Sequence, residues 1–138
     1  MMREAEVIII GAGPAGLGAA IQAAKYGCGS VVLFDENRSC GGQLIKQLHK
    51  FFGSAEHQAG VRGFVLGEKL EEEALSLGVR IMTNSVVWGV FRENKLGVFT
   101  CDGKVQQWGF KKLIIATGAM ENALAFPGWS VLDRKSVV

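Results

Sequence analysis

A chain of 138 residues can bury the core of one domain and is too short for two full ones. Hydrophobic residues make up 49% and charged residues 20%, the balance of a globular protein. A net charge of +2 with no basic stripe, only the pairs Lys111-Lys112 and Arg134-Lys135, excludes a nucleic-acid binder. Three scattered cysteines (Cys28, Cys40, Cys101) form no CxxC and read as reduced thiols of a cytoplasmic protein. The N-terminus has no signal-peptide stretch, and residues 7–10 are too few to span a membrane.

Val7-Ile8-Ile9-Ile10 is an apolar, β-branched run ending at a glycine, the pattern of a strand buried on both faces of a parallel sheet. Residues 17–26 are rich in alanine and stop at Gly27, which predicts a helix with a glycine terminus. Val31-Val32-Leu33-Phe34 predicts a second buried strand, closed by Asp35 and Glu36. Strand, helix and strand within about 30 residues predict a right-handed βαβ unit. Residues 37–62 lack a period. From about Gly63 the spacing predicts a helix with Leu66, Leu70, Ala74 and Leu77 on one face, Glu71, Glu72 and Glu73 toward water, and Gly78 as its stop. A short strand over 79–82 follows. Three more strands are predicted near 86–92, 96–101 and 104–108, with Asp102-Gly103 as a hairpin signal, then a buried strand, Leu113-Ile114-Ile115-Ala116, that enters Thr117-Gly118.

The turn Gly11-Ala12-Gly13-Pro14-Ala15-Gly16 is a GxGxxG, a weak signal alone and a strong one directly between a buried strand and a helix. Gly11 allows the tight turn, Gly13 lets a pyrophosphate approach the backbone, and Gly16 lets the helix pack on the strand. Pro14 suits the first helical turn, and the free N–H groups there face the phosphates. An acid at the end of the second strand accepts from a ribose hydroxyl: Asp35 is the first choice and Glu36 the second, both otherwise solvated turn residues. A carboxylate here disfavours the 2′-phosphate of NADP, so the ligand expected is FAD or NAD.

Residues 7–16, Gly41-Gly42-Gln43-Leu44 and Ile114-Ile115-Ala116-Thr117-Gly118-Ala119 together resemble the FAD domain of the pyridine nucleotide–disulfide oxidoreductase superfamily, over about residues 6 to 128. The resemblance implies an incomplete α/β, Rossmann-like FAD-binding domain: a parallel sheet, a crossover helix and a three-stranded antiparallel meander. It implies that Gly11, Gly13, Pro14, Ala15 and Gly16 hold the ADP half of FAD. Gly42 and Gln43 would line the cofactor, Val87 would offer its backbone to the adenine, and Thr117 and Gly118 would sit near the pyrophosphate. The alternatives are an ordinary strand residue for Val87 and a surface residue for Gln43. Thr117-Gly118-Ala119-Met120-Glu121-Asn122 with Phe126-Pro127-Gly128-Trp129 is similar to the flavoprotein subunits of opine and amino-acid dehydrogenases, hydrogen cyanide synthase and sarcosine oxidase. That branch implies hydride transfer from an amine or amino-acid donor to flavin. It also implies a small-molecule substrate, a second subunit or C-terminal domain, and a nicotinamide-binding domain, or its vestige, after this one.

The sequence departs from the disulfide reductases, whose redox pair would be a CxxxxC after the second strand or a CxxC further on: Cys40 stands alone before Gly41-Gly42 with no second cysteine within reach in sequence, so a dithiol relay is not expected. His49 and His57 have no acid at a telling spacing and read as loop histidines; no metal pattern and no catalytic residue emerges. Two other readings stand beside the flavoprotein: an NAD-binding Rossmann domain and a non-catalytic nucleotide-binding module. Residues 1–128 are expected to form the N-terminal portion of the FAD domain, and 129–138 the start of an interdomain segment. Its last six residues, Asp133-Arg134-Lys135-Ser136-Val137-Val138, are what the sequencing-adapter string GATCGGAAGAGCGTCGTG encodes, and are expected to be non-native. Resequencing the source DNA should show the native frame diverging after Leu132; continuous genomic sequence encoding the same six residues would refute this.

Overall fold

The computed structural model describes residues 3–119 and Pro127. The proposed boundary at 128, the tail over 133–138, and Met120, Glu121, Asn122, Phe126, Gly128 and Trp129 lie outside the described residues.

The chain forms β1 (Arg3–Ile10), α1 (Pro14–Lys25), β2 (Val31–Phe34), α2 (Gly63–Ser76), β3 (Arg80–Met82), β4 (Val86–Phe91), β5 (Lys95–Phe99) and β6 (Val105–Ile115). Two short 3-10 turns, Gly42–Lys46 and Ala55–His57, fall in the aperiodic stretch between β2 and α2. All strands belong to one sheet of order β3-β2-β1-β6-β5-β4. β1 pairs in parallel with β2 (Val7 with Val31, Ile10 with Phe34) and with β6 (Ile8 with Leu113, Ile10 with Ile115), and β2 pairs in parallel with β3. β4, β5 and the first half of β6 are antiparallel. This is the Rossmann-like fold that the sequence pattern implies, with the βαβ unit and the meander where expected.

Alternation along β1 divides the core in two. Val7 and Ile9, with Val31 and Leu33 of β2, face the helices and pack on Leu17, Ala20 and Ile21 of α1 and on Ala74 of α2. Ile8, Val32 and Phe34 face the other way and pack on Leu96, Val98 and Trp108 of the meander. The result is three layers, helices, parallel sheet and meander, because a strand with period 2 buried on both faces needs a cover on each. Each fully buried Ile, Leu or Phe contributes about 1.5–3 kcal/mol. In the second cluster Phe34 meets Trp108 edge to face, with ring centroids 5.3 Å apart.

Four features differ from the sequence reading. The strand Leu113-Ile114-Ile115-Ala116, expected to be buried, leaves Ile114 36% and Ile115 67% exposed, because beyond Gly109 it pairs with β1 and no longer with β5. The third meander strand and the strand after it are one strand, β6, which changes partner from β5 to β1 around Trp108 and Gly109. α1 starts at Pro14, three residues earlier than the alanine-rich run indicated. The buried seam of α2 is Gly63, Gly67 and Ala74 with Leu70 beside them, while Leu77 lies beyond the last turn and is 38% exposed. Small residues win here because α2 lies close against the turn Gly42–Lys46: a Cβ on Gly67 would stand 3.3 Å from Gly41 Cα, and one on Gly63 2.6 Å from Gln47 Cβ. Glu71 is half-buried and Glu73 binds Lys25 of α1 at 2.7 Å, so these two acids serve packing as well as solvent.

Trp108 is 2% exposed and joins the meander to the sheet. Trp108→Ala should cost about 3–5 kcal/mol in urea unfolding, enough to consume much of a small domain's stability. A loss under about 1 kcal/mol would mean that the meander contributes little to the core.

Candidate functional site

Open parallel sheets bind ligands beyond the carboxyl ends of their strands, where neighbouring connections diverge. Here the chain leaves β1 for β2 on one side, while β6 lies on the other. Gly11 follows β1, Asp35 follows β2 and Thr117 closely follows β6, so three expected site residues emerge at one rim. The Gly11 N–H donates to the Phe34 carbonyl (2.7 Å) and the Ala116 N–H to the Ile10 carbonyl (2.8 Å). Gly11 has φ +104, and a Cβ there would overlap the Ala116 carbonyl; a Cβ on Gly16 would overlap the Gly11 carbonyl. Both glycines therefore serve close packing of β1, α1 and β6.

Gly13 differs. Its backbone is extended (φ −72°, ψ −179°), and an added Cβ would meet no protein atom within 4 Å. What its missing side chain keeps free is space outside the fold, at the start of α1 where Pro14 and Ala15 are exposed. That space fits a phosphate held by helix N-terminal N–H groups. Gly42 closes the turn from the other side: the Gly41 N–H donates to the Ala12 carbonyl at 2.7 Å, and a Cβ on Gly42 would stand 2.9 Å from Gly13 Cα.

A cleft of about 230 Å³ at this rim is lined by Gly11, Asp35, Glu36, Val87 and Thr117 among the expected residues, with Ile10, Phe34, Asn37, Ser85 and Val86 beside them. Gln43 is exposed on the Gly42–Lys46 turn, and Gly118 (φ +76) is exposed after Thr117; neither lines the cleft. The two acids are unlike. Asp35 is 8% exposed, and its Oδ2 accepts from the Ala12 N–H at 2.5 Å. Its Oδ1 accepts from the N–H and the side-chain amide of Asn37, at 2.7 and 2.8 Å. Glu36 is exposed and has no side-chain hydrogen bond among the described residues.

Cys40 is 5% exposed, and burial, then the Glu71 carboxylate and Asp35, push its thiol up to about 12. It is a protonated packing residue, not a nucleophile. The described cysteines form no disulfide. His57 shares a 2.7 Å hydrogen bond with Ser54, and His49 lies edge-on to Phe51 at 5.7 Å; both are exposed and neither lines the cleft. No group of metal-ligating side chains occurs among the described residues. No helix of those residues is long and apolar enough to cross a membrane.

A larger cleft, about 390 Å³, includes Glu4, Glu6, Ser30, Glu93 and Lys111 at the opposite end of β1. It lies at the amino ends of the parallel strands, and Glu6 is already engaged by the Gly29 N–H (2.7 Å) and Lys111 (3.5 Å). It is the weaker candidate. Sequence reasoning missed Asn37 and Ser85. The signal for Asn37 was present, since an Asp followed two residues on by a free N–H is an Asx-turn. Nothing in the sequence marked Ser85, which reaches the rim through its N–H bond to the Asp35 carbonyl (2.8 Å).

A sequence profile described as pyridine nucleotide-disulphide oxidoreductase matches residues 5–137. The opine oxidase subunit of Agrobacterium tumefaciens (strain Ach5) is 29% identical over 134 residues, which cover 91% of this chain and 26% of that protein. Thioredoxin reductase of Aquifex aeolicus (strain VF5) is 32% identical over 123 residues, 89% of this chain and 36% of that protein. Among solved structures, L-proline dehydrogenase from P. horikoshii matches with a TM-score of 0.74 at 26% identity, over 90% of this chain and 25% of that one. The chain thus spans between a quarter and little more than a third of the length of these relatives.

The glycines should separate by experiment. Gly13→Ala should leave stability within about 0.5 kcal/mol and weaken dinucleotide binding at least about tenfold, whereas Gly16→Ala should destabilise the fold by about 1–3 kcal/mol or more. Thermal unfolding with and without ligand reads both. Unchanged binding in Gly13→Ala would remove this turn as the phosphate site.

Proposed function

The chain belongs to the pyridine nucleotide-disulphide oxidoreductase family, and from that membership we propose that it is the FAD-gripping portion of an enzyme that oxidises an amine or amino-acid donor. The family is one of FAD-dependent oxidoreductases with a Rossmann-like FAD-binding fold. The observation that carries the reading is the open space at Gly13, set between the N-terminus of α1 and the cleft at the ends of β1, β2 and β6. In this reading Gly13, Ala15 and Gly16 offer N–H groups to the pyrophosphate, and Gly42 shuts the turn. Glu36 is the acid left to meet a ribose hydroxyl, and the Val87 backbone completes the adenine side. Thr117 and Gly118 lie near the pyrophosphate, and Gln43 lines the cofactor. Residues 1–128 are the N-terminal portion of the FAD domain. FAD, when bound, supplies the hydride acceptor; this chain supplies binding and orientation. The substrate-side residues, and any nicotinamide site, belong to a further domain or a separate polypeptide.

The amine donor is supported by similarity to L-proline dehydrogenase and to the opine oxidase protein. The comparable identity to thioredoxin reductase favours a second reading, a flavoprotein that passes electrons to a disulfide. Cys40, single after β2, buried and with its thiol pushed up to about 12, supplies no CxxxxC pair, so the second reading requires a CxxC in a later domain. Purifying the product of the complete gene and recording its absorption spectrum tests the cofactor: a bound-flavin spectrum is expected. A colourless protein that binds NAD would favour an NAD-binding domain, and one that binds neither a non-catalytic module. Anaerobic bleaching of the flavin by an opine, proline or sarcosine is then expected. Bleaching by NADPH alone, with thiol production, would favour the second reading.

A further inference from the structure

Asp35 occupies the position at which a dinucleotide fold places its ribose acid, yet its carboxylate is already committed. Oδ2 takes the Ala12 N–H, and Oδ1 takes the backbone N–H and one side-chain amide N–H of Asn37. The same residue is tied by its backbone, the N–H donating to the Met82 carbonyl (3.0 Å) and the carbonyl accepting from Ser85 (2.8 Å). Asp35 is therefore the node where the glycine turn, the loop after β2 and the link between β3 and β4 meet.

Ala12, the residue it holds, is fully buried inside the glycine turn. Within that turn the Gly11 N–H is given to Phe34, the Leu17 N–H to Gly13, and Pro14 has none. With Ala12 given to Asp35, the donors left to a ligand are the N–H groups of Gly13, Ala15 and Gly16. Fixing the Ala12 N–H fixes the peptide plane between Gly11 and Ala12; the next plane, which carries the Gly13 N–H, is held at the Ala12 carbonyl by the Gly41 N–H, so Ala12 is pinned on both sides and the first free donor is aimed with it. A carboxylate is the acceptor suited to that task, since charge-assisted hydrogen bonds are short and about twice as strong as neutral ones.

We infer that Asp35 is a positioning residue of the phosphate-binding turn, acting through Ala12, and does not touch the ribose. The inference rests on the dinucleotide reading above and assigns separate tasks to two adjacent acids. It places Asp35 behind the turn, where its effect depends on the ligand's phosphates and not on its sugar hydroxyls.

Titration calorimetry of the product of the complete gene, freed of flavin, with ADP, 2′-deoxy-ADP and adenosine tests this. Asp35→Asn should weaken ADP and 2′-deoxy-ADP by the same factor, about tenfold, and leave adenosine unchanged. Glu36→Gln should weaken ADP and have no effect on 2′-deoxy-ADP. Asn37→Ala, which loosens Asp35 without altering it, should weaken both diphosphates equally by about threefold, and decides the matter if Asp35→Asn does not fold. An Asp35→Asn or Asn37→Ala loss that disappears with 2′-deoxy-ADP would put Asp35 on the ribose and overturn the inference. So would variants that bind ADP as the parent does. If the parent binds neither ADP nor FAD, the dinucleotide reading itself fails, a result distinct from either.

Discussion

Three backbone segments converge on one point with no side chain between them: the turn after β1, the start of α1 and the end of β6. Gly11 lies against the Ala116 carbonyl, and Gly16 against the Gly11 carbonyl. Both contacts would be blocked by a single methyl group. Because the approach is so close, β1 can hydrogen-bond to β6 up to Ile10 and Ile115 while α1 still packs on the same strand. Where these segments meet, the rim of the sheet is formed by main chain, with little side-chain entropy to lose. The packing and the site share this one constraint.

The two cores depend on it as well. The alternating residues of β1 divide between helices and meander, so β1 must be central, and it is central only if β6 can reach it. Closer to the site, Gly41 and Gly42 press on Ala12 and Gly13, and Gly67 presses on Gly41. Glycines from three segments thus stack from α2 to the turn after β1.

Much of this was legible in the residues. Four-residue apolar runs bounded by glycine or acids marked β1 and β2, and the glycine turn between strand and helix marked the rim at which the candidate cleft opens. Two things were not legible. Asp35 and Glu36 are adjacent acids at one strand end, and only the folded structure, through burial and the hydrogen bonds from Ala12 and Asn37, distinguishes the inward one from the exposed one. β6 read as two strands because Gly109 and Lys111-Lys112 interrupt its apolar pattern. That pattern fails because β6 has β5 beside it in its first half and leaves its far half without that neighbour, so its lysines meet solvent within a continuous strand. The seam of α2 was misread in part for a related reason: leucine spacing marks an ordinary helix face, whereas a close approach selects glycine and alanine.

The pairing of β1 with β6 also has a consequence for biosynthesis. Arg3 pairs with Trp108 and Ile10 with Ile115, so the first of these strands to leave a ribosome waits for the last. At about 5–20 residues per second this delay is roughly 5 to 20 s. Throughout it, Val7 to Ile10 keep an open hydrogen-bonding edge and one apolar face uncovered. Such an edge recruits other strands, and so the nascent chain, more than the finished one, is open to wrong pairing.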